Sequence, residues 1–578
     1  MKKFLFSTLA LTAVALFATS CSCYKSMMKK AQDNVTVSCA PEVLTLKGDN
    51  VVGQITVNFA PKTFHKWGVL KVTPVLVSAT NGERVAGEPT FLQGENVTDN
   101  YATIAYKAGG SYSQNVSIPY NKNLRLSQLV LAVEAKCLKQ GNKVKNFTQY
   151  PTDIAVALGT STVQLLADNY AKVAYAPDAF KRITYTAQEA NILFTIANSN
   201  VRSSQLKSDE LEALEQFIIA NTGNPKRTVG AMQGQAYASP DGPLTFNDKL
   251  SQNRANTTEK ALLKKYKKDG VLKNNVYDVN ALGEDWEGFK DIVKKSDIED
   301  KNLILQVLSM YSDPVVREKE IKNMTAAFEV LAEKVLPELR RSKLRVNVEV
   351  QGLTDGEMKA AVASDVNSLG VEEMLFAAAN LYTDLATKEK IYTAAANKYN
   401  CYRAWNNLGV VNVKNGDYAA AKANFNKAAA LNGADAYVVN NLGVVALAEG
   451  KKADAAKYFA ASSIAQAKYN NGLVELANGN YDTAVNYLDG FNKALANYLI
   501  GNISAAKECT CKSWRNSYLK AIIAANEGNT NEFIENLTAA INANPQVKEL
   551  AASEVNFVKF FEHADFVAIV EVVEFEVI

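Results

Sequence analysis

The chain has 578 residues, 48% hydrophobic and 21% charged, an ordinary globular balance with length for about three to five domains. Its 63 basic and 60 acidic residues leave a formal charge of +3, which argues against the basic face that a bulk nucleic-acid binder needs. A Ser-His-Asp enzyme or a zinc hydrolase would have to be built on one of two histidines, His65 and His563. Both are isolated, so the sequence reads as non-catalytic, with no cofactor and no metal site.

Met1-Lys2-Lys3 is followed by an apolar run from Phe4 to Thr19, too short and wrongly flanked for a membrane span. Residues 1–20 are expected to be a secretory signal. Ala18-Thr19-Ser20 before Cys21 resembles the bacterial lipobox, although Ala18 stands where an aliphatic such as Leu is usual. The resemblance implies cleavage before Cys21 and acylation of that residue, with 21–34 as a linker. Acyl chains contribute ~0.8 kcal/mol per buried methylene, so a multiply acylated cysteine holds a protein to a membrane. The alternative is plain cleavage and a free periplasmic product. No acidic residues follow Cys21, unlike surface-exported lipoproteins of Bacteroidetes-like bacteria, which favours the periplasmic side of the outer membrane. An exported chain permits disulfides, and Cys39 and Cys137 lie near opposite ends of one β-rich region where they could pair. Cys509-Thr510-Cys511 lacks companions at zinc spacing and reads as two surface or core thiols.

Residues 35–160 alternate apolar and β-branched residues over Val51–Phe59, Val69–Val77, Tyr101–Tyr106, Ser113–Ile118 and Leu129–Ala135, with turn clusters between. Strands at this spacing predict an antiparallel β-sandwich. Phrases such as Glu42-Val43-Leu44 and Leu92-Gln93-Gly94-Glu95 resemble the N-terminal region of a group of Bacteroidetes lipoproteins. Trp67, Tyr106, Tyr112 and Tyr120 read as packing residues rather than a ligand face.

Between 180 and 350 the order is strand (Glu189–Ala197), helix (Leu206–Asn221), strand (Arg227–Ala236), loop (Tyr237–Gly242) and helix. Phe246 to Tyr266, FNDKLSQNRANTTEKALLKKY, is similar to the N-x-x-L-S-x-x-R-A helix of the OmpA C-terminal family, and Gly234 and Gly242 fall at that family's glycine positions. The resemblance implies an α/β OmpA-like module that binds the diaminopimelate stem of peptidoglycan, with Arg254 gripping a ligand carboxylate. Asn247 and Leu250 would shape the helix start and its packing, and Ser251 would support the turn. The family's loop aspartate, eight residues before the asparagine, is here Ser239, with Asp241 two residues on to compensate. A helical insertion is expected over 268–342, with Glu284, Asp285 and Glu287 at a solvated helix start, and Leu344–Val350 returning as the closing strand.

Residues 355–550 repeat. Trp405-Asn406-Asn407-Leu408-Gly409 recurs as Val439-Asn440-Asn441-Leu442-Gly443 about 34 residues later, the tetratricopeptide period. Ala421, Phe425 and Ala428 recur as Ala455, Phe459 and Ser462. A shortened third unit, a faint fourth and a divergent pair over Glu372–Lys398 extend an α-solenoid of tetratricopeptide type, whose concave face suits peptides or proteins. Asn406, Asn407, Asn440 and Asn441 read either as groove residues that grip a peptide backbone or as exposed helix polars. Residues 551–578 end in VAIVEVVEFEVI, β-prone and acidic, with no assigned role.

Together these features predict a non-catalytic outer-membrane lipoprotein, facing the periplasm. It would be tethered to peptidoglycan by the OmpA-like module and recruit envelope proteins through its repeats. The other reading is a scaffold subunit of a secretion, gliding or fimbrial machine without peptidoglycan binding.

Overall fold

Strand β7 (Gly110–Pro119) buries Tyr112, Gln114, Val116 and Ile118 and exposes the residues between them, the period of a strand with one face in a core. The same alternation recurs through the first third of the computed structural model. The described residues run from Met27 to Val570, apart from 28, 32, 139–146, 150–152, 270–271 and 273–277. Residues 1–26, on which the expected signal sequence and acylated Cys21 fall, and residues 571–578 lie outside them. The chain divides into two compact units: Pro177–Lys398 forms one, and the residues up to Ala176 join those from Tyr399 onward in the other. The repeat unit therefore begins near 399 rather than at 355.

In the discontinuous unit, β1 (Val35–Lys47), β2 (Asn50–Phe59), β7 and β11 (Thr160–Ser161) form a sheet in the order β11-β1-β2-β7. The second sheet runs β10 (Ile154–Leu158), β8 (Ser127–Cys137), β3 (Gly68–Ser78), β5 (Thr90–Gly94), β6 (Ala102–Ile104), with β4 (Arg84–Ala86) on β3 and β9 (Thr148–Gln149) on β8. Pairing is antiparallel except at β1–β11 and β5–β6. Leu44, Ile55 and Ile118 of the first sheet meet Leu76, Leu92 and Leu129 of the second in one core. Each such side chain contributes about 1.5–3 kcal/mol on full burial. Tyr112 is part of this core, whereas Tyr106 lies under Lys30 and Lys66, so the four aromatics do not form a shared face. Cys39 is a free thiol, while Cys137 is disulfide-bonded to another cysteine, so the two are not partners. Cys509 and Cys511, expected as thiols, are joined to each other.

The C-terminal helices of this unit stack in pairs. Gly409 and Gly443 open the close approach within the first two pairs: a methyl on either would meet the Phe425 or Phe459 ring at 2.5 or 2.6 Å. That contact explains the Leu-Gly of each repeat better than any turn. The expected β-prone tail is helical as far as it is described, with a 3-10 turn at Val555–Phe560 and a helix at Ala564–Val570. Phe557, Phe560 and Phe566 close the end of the repeat core around Phe533.

The second unit is built on the sheet β12 (Ile183–Leu193), β16 (Arg341–Gln351), β14 (Gln233–Ala238), β15 (Asp278–Glu284), in that order, with β13 (Arg227–Val229) also on β16. Helix α1 (Asp209–Asn221) starts at Ser208, whose hydroxyl accepts the Leu211 N–H. It lays Leu211, Leu214 and Ile218 on Ala190, Ile192, Leu344 and Val346. Helix α2 (Leu244–Tyr266) carries the FNDKLSQNRA run. Three expectations shift here. The first strand ends at Leu193 instead of reaching Ala197. The second is broken between Val229 and Gln233, with both pieces on β16. Residues 278–284, placed in the helical insertion by sequence, are a strand parallel to β14. The insertion itself is five helices between Trp286 and Leu339 around Phe289, Val293, Ile304, Leu331 and Leu339. The strand expected at Leu344–Val350 is present within β16, where it lies between β12 and β14. The helices Val371–Phe376 and Leu385–Tyr399, expected as a divergent repeat pair, fall almost wholly in this second unit.

Candidate functional site

The inner helices of the repeats, Tyr402–Lys414, Ala436–Ala448, Ala465–Ala477 and Gly490–Leu499, each turn asparagines to one side. Asn406, Asn407, Asn440, Asn441 and Asn470 are at most 1% exposed, and Asn492 is 2% exposed. An asparagine that deep in a helical core must have its amide satisfied. Here the partner is the chain's own residues 168–176, an extended strap that leaves the β-sandwich and runs along the groove.

The pairing is regular. Asn407 accepts the Ala176 N–H at 2.7 Å and donates to its carbonyl at 3.0 Å. Asn441 does the same to Ala174 at 2.9 and 2.8 Å, and Asn470 to Lys172 at 2.7 and 2.9 Å. Asn492 grips Asp168 at 2.8 Å both ways. Each amide takes the N–H and C=O of one residue, as a neighbouring strand would; the first three repeats take alternate residues, 176, 174 and 172, because backbone polarity alternates along an extended chain, and the fourth passes over Tyr170 to Asp168. Asn406 and Asn440 sit between them, donating to the Ala174 and Lys172 carbonyls and linking amide to amide along the row. Val173 and Tyr175 point the other way, into apolar surface that includes Val410, Phe425 and Val445. Ala174 and Ala176, at the gripped positions, are 4% and 3% exposed. Lys172 Nζ lies 2.8 Å from Asp489 and 3.6 Å from the Tyr469 ring centre.

The groove is thus a reader of extended backbone with side-chain space at every second position, and its reading edge is filled in cis. The asparagine pairs are not exposed helix polars. Sequence reading missed the strap and Asn492: the strap's alternation, Ala171-Lys172-Val173-Ala174-Tyr175-Ala176, is visible, but nothing local says what it pairs with.

At the sandwich end, Gln164 ties the same groove to the β1–β2 turn. It accepts the Gly48 N–H at 2.9 Å and the Tyr481 hydroxyl at 2.5 Å and donates to the Gly48 carbonyl at 3.2 Å. Gly479, at φ 82°, lies so close to Lys47 and Gly48 that a methyl would come within 2.5 Å of Lys47 Cγ. A cavity of about 630 Å³ opens beside the strap, lined by Tyr170, Ala171, Leu447, Leu473 and the Asp49–Lys452 pair among others.

In the second unit, the loop between β14 and α2 brings Ser239, Asp241 and Asn247 together. Ser239 Oγ donates to Asp241 Oδ1 at 2.5 Å, and Asn247 Nδ2 donates to the Ser239 and Gly242 carbonyls and to Glu284 at 2.8 Å. Arg254 is 0% exposed. Its three guanidinium nitrogens donate to the carbonyls of Asn198 (3.0 Å), Tyr237 (2.8 Å) and Thr195 (3.3 Å), and its plane lies 5.0 Å from the Phe194 ring centre. Burial, and then the neighbouring Arg340 charge, bring the Arg254 pKa down to about 10, against the pull of Asp241, and it stays charged at neutral pH. Arg340, which sequence reading left unassigned, reaches Ser239 at 3.2 Å and Asp241 at 3.3 Å. Leu250 packs, and Ser251 accepts the Gly283 N–H at 3.1 Å. Glu284, Asp285 and Glu287 do stand at a helix start, that of Trp286–Lys295, but Asp285 is buried there rather than solvated. Asp285 caps the helix through the Gly288 N–H and pairs with Arg341 at 2.7 Å. Burial raises the Glu284 carboxyl, opposed by its bonds from Asn247 and the Trp286 indole.

A search of curated proteins finds no match. Among solved structures, the chain is similar to one described as the functional characterization of Pseudomonas aeruginosa pilF, at 15% identity over 36% of this chain and 97% of that one, with a TM-score of 0.26. A tetratricopeptide repeat protein from Parabacteroides merdae is 14% identical over 46% of this chain and 99% of its own, with a TM-score of 0.25. YrrB, described as a TPR protein with an unusual peptide-binding site, is 16% identical over 31% and 88%, with a TM-score of 0.20. At these scores the likenesses say nothing of function. The family model for the tetratricopeptide repeat matches residues 402–435, the helical pair that carries Asn406 and Asn407.

Proposed function

We propose that this chain is a non-catalytic scaffold of the bacterial envelope that gathers proteins on its helical repeats. The observation that carries the reading is the tetratricopeptide repeat matched at residues 402–435, an architecture suited to holding polypeptide; the asparagine row shows that chemistry at work on the chain's own residues 168–176, which leaves other faces of the repeats for partners. The basic start, apolar run and Cys21 support export and a lipid anchor on the periplasmic side of the outer membrane. Crosslinking in intact envelopes tests the scaffold role. A reproducible set of proteins attached through residues 399–543 is expected, and adducts absent from that stretch would overturn it.

The FNDKLSQNRA helix supports peptidoglycan as a tether for the second unit. The burial of Arg254, with each guanidinium nitrogen bonded to a carbonyl, favours the other reading, in which that unit keeps the fold as an interface within a larger assembly. Co-sedimentation of the full chain with purified sacculi separates the two. Binding that rises in Ser239→Asp, which returns the loop charge, supports the tether. Absence of sedimentation in both forms, with crosslinking intact, supports the interface.

A further inference from the structure

The side chains that β8 turns into the sandwich shrink along the strand, from Leu129 and Leu131 to Val133 and Ala135. Those of β1 shrink toward its start, from Leu44 to Val37 and Val35. The two small ends meet around a cavity of about 80 Å³ between the sheets, room for about five to eight water-sized groups. No charged side chain lines it, and its walls are apolar except at two residues. Thr63, on the connection from β2 to β3, is 4% exposed, and Tyr112 of β7 is 7% exposed. The hydroxyl of each is buried without a hydrogen-bond partner among the described residues. A buried hydroxyl left unpaired is costly, and packing asks for neither one. Val has the shape of Thr, and Phe that of Tyr, without the oxygen. Burial raises the Tyr112 phenol, so it keeps its proton and stays a donor at neutral pH. Two unused donors at the wall of an apolar cavity describe a ligand by its complement: an apolar body that carries an acceptor oxygen. A carboxylate does not fit, since an ion within these walls would have no counter-charge.

We propose that the sandwich cavity binds a small uncharged acyl compound, a chain of a few carbons with an ester or ketone carbonyl, whose oxygen accepts from the Thr63 and Tyr112 hydroxyls. The carbons lie against Met27, Phe59, Val72 and Leu131, where each apolar contact removes surface from water. The carbonyl fixes which end of the molecule faces the hydroxyls. The ligand is held whole, and no bond is made or broken. This goes beyond the scaffold reading and does not rest on it, since none of the lining residues belongs to the repeats or to the strap.

The test uses the full chain and three probes of similar size, methyl butanoate, the butanoate ion and pentane, titrated by saturation-transfer NMR. Methyl butanoate is expected to bind about tenfold or more tighter than pentane, and the butanoate ion not at all. Tyr112→Phe and Thr63→Val should each weaken the ester by about fivefold or more and leave pentane unchanged. Ala135→Leu, which fills the cavity, should abolish binding of both. The melting temperature without probe checks that each variant is folded, and where one hydroxyl variant is not, the other carries the comparison. Equal affinity for ester and alkane, or tight binding of the ion, overturns the proposal. So does ester binding that is unchanged in a folded hydroxyl variant, or no ester binding by the unaltered chain.

Discussion

Arg254 is a charge buried on carbonyl dipoles, and that arrangement decides what its loss does. Replacing it with Met keeps most of the apolar stem and leaves the carbonyls of Asn198, Tyr237 and Thr195 short of a donor. A loss of about 2–4 kcal/mol is expected in the second unit, read by denaturant unfolding, whether or not the chain binds sacculi. Glu554 shows the same physics with the opposite charge. It is 2% exposed, 3.6 Å from Arg125, and burial raises its carboxyl despite that arginine and the Asn556 amide. The folded chain therefore keeps this proton to higher pH than the unfolded chain does. Stability from the protonated form is present below the unfolded value and is lost as pH rises through the raised folded one. Glu554→Gln should raise the melting temperature of the discontinuous unit at pH 7.5 more than at pH 4. An equal rise at both values would remove burial as the cause.

At the scale of elements, the strap and the inner helices form one cooperative structure. Asn441→Ala removes both bonds to Ala174 and the link to Asn406, and leaves buried groups unpaired on each side. A destabilisation of about 2–4 kcal/mol is expected, together with proteolytic cleavage within 168–176 under conditions where the parent is uncut. Elements were legible from sequence where one residue sufficed to state the reason. Gly409 and Gly443 with their phenylalanines gave the repeat, and the alternation of β7 gave a half-buried strand. The first half of β12 is exposed on both faces, Ile183 and Tyr185 included, so no core-facing side marks its start at Ile183. β15 was hidden for a different reason. Asp278–Glu284 earns its strand only by lying parallel to β14, a long-range pairing that local composition does not encode.

Over the whole molecule, the division at Pro177 and Tyr399 makes the second unit an insertion into the first. Residues 177–398 expressed alone are expected to unfold in one cooperative transition, matching one of two transitions of the full chain. Asn441→Ala should shift only the other. A single merged transition that shifts as one in this variant would contradict separate cores. The asparagines of the site could be named in advance because they recur with the repeat. Their occupant could not, because its position depends on a return of the chain that no local pattern announces.

That return sets an order of manufacture. Ala176 is separated from Asn407 by 231 residues, and Asp168 from Asn492 by 324. Every residue of the second unit is made between the strap and its seat. During synthesis the strap must wait as an open strand with Val173 and Tyr175 uncovered, and the gap is closed against the entropy of a very long loop. A segment made within the first third of the chain is thus among the last to be finished. Its maturation stays unprotected against proteases and wrong pairings until the final helices arrive.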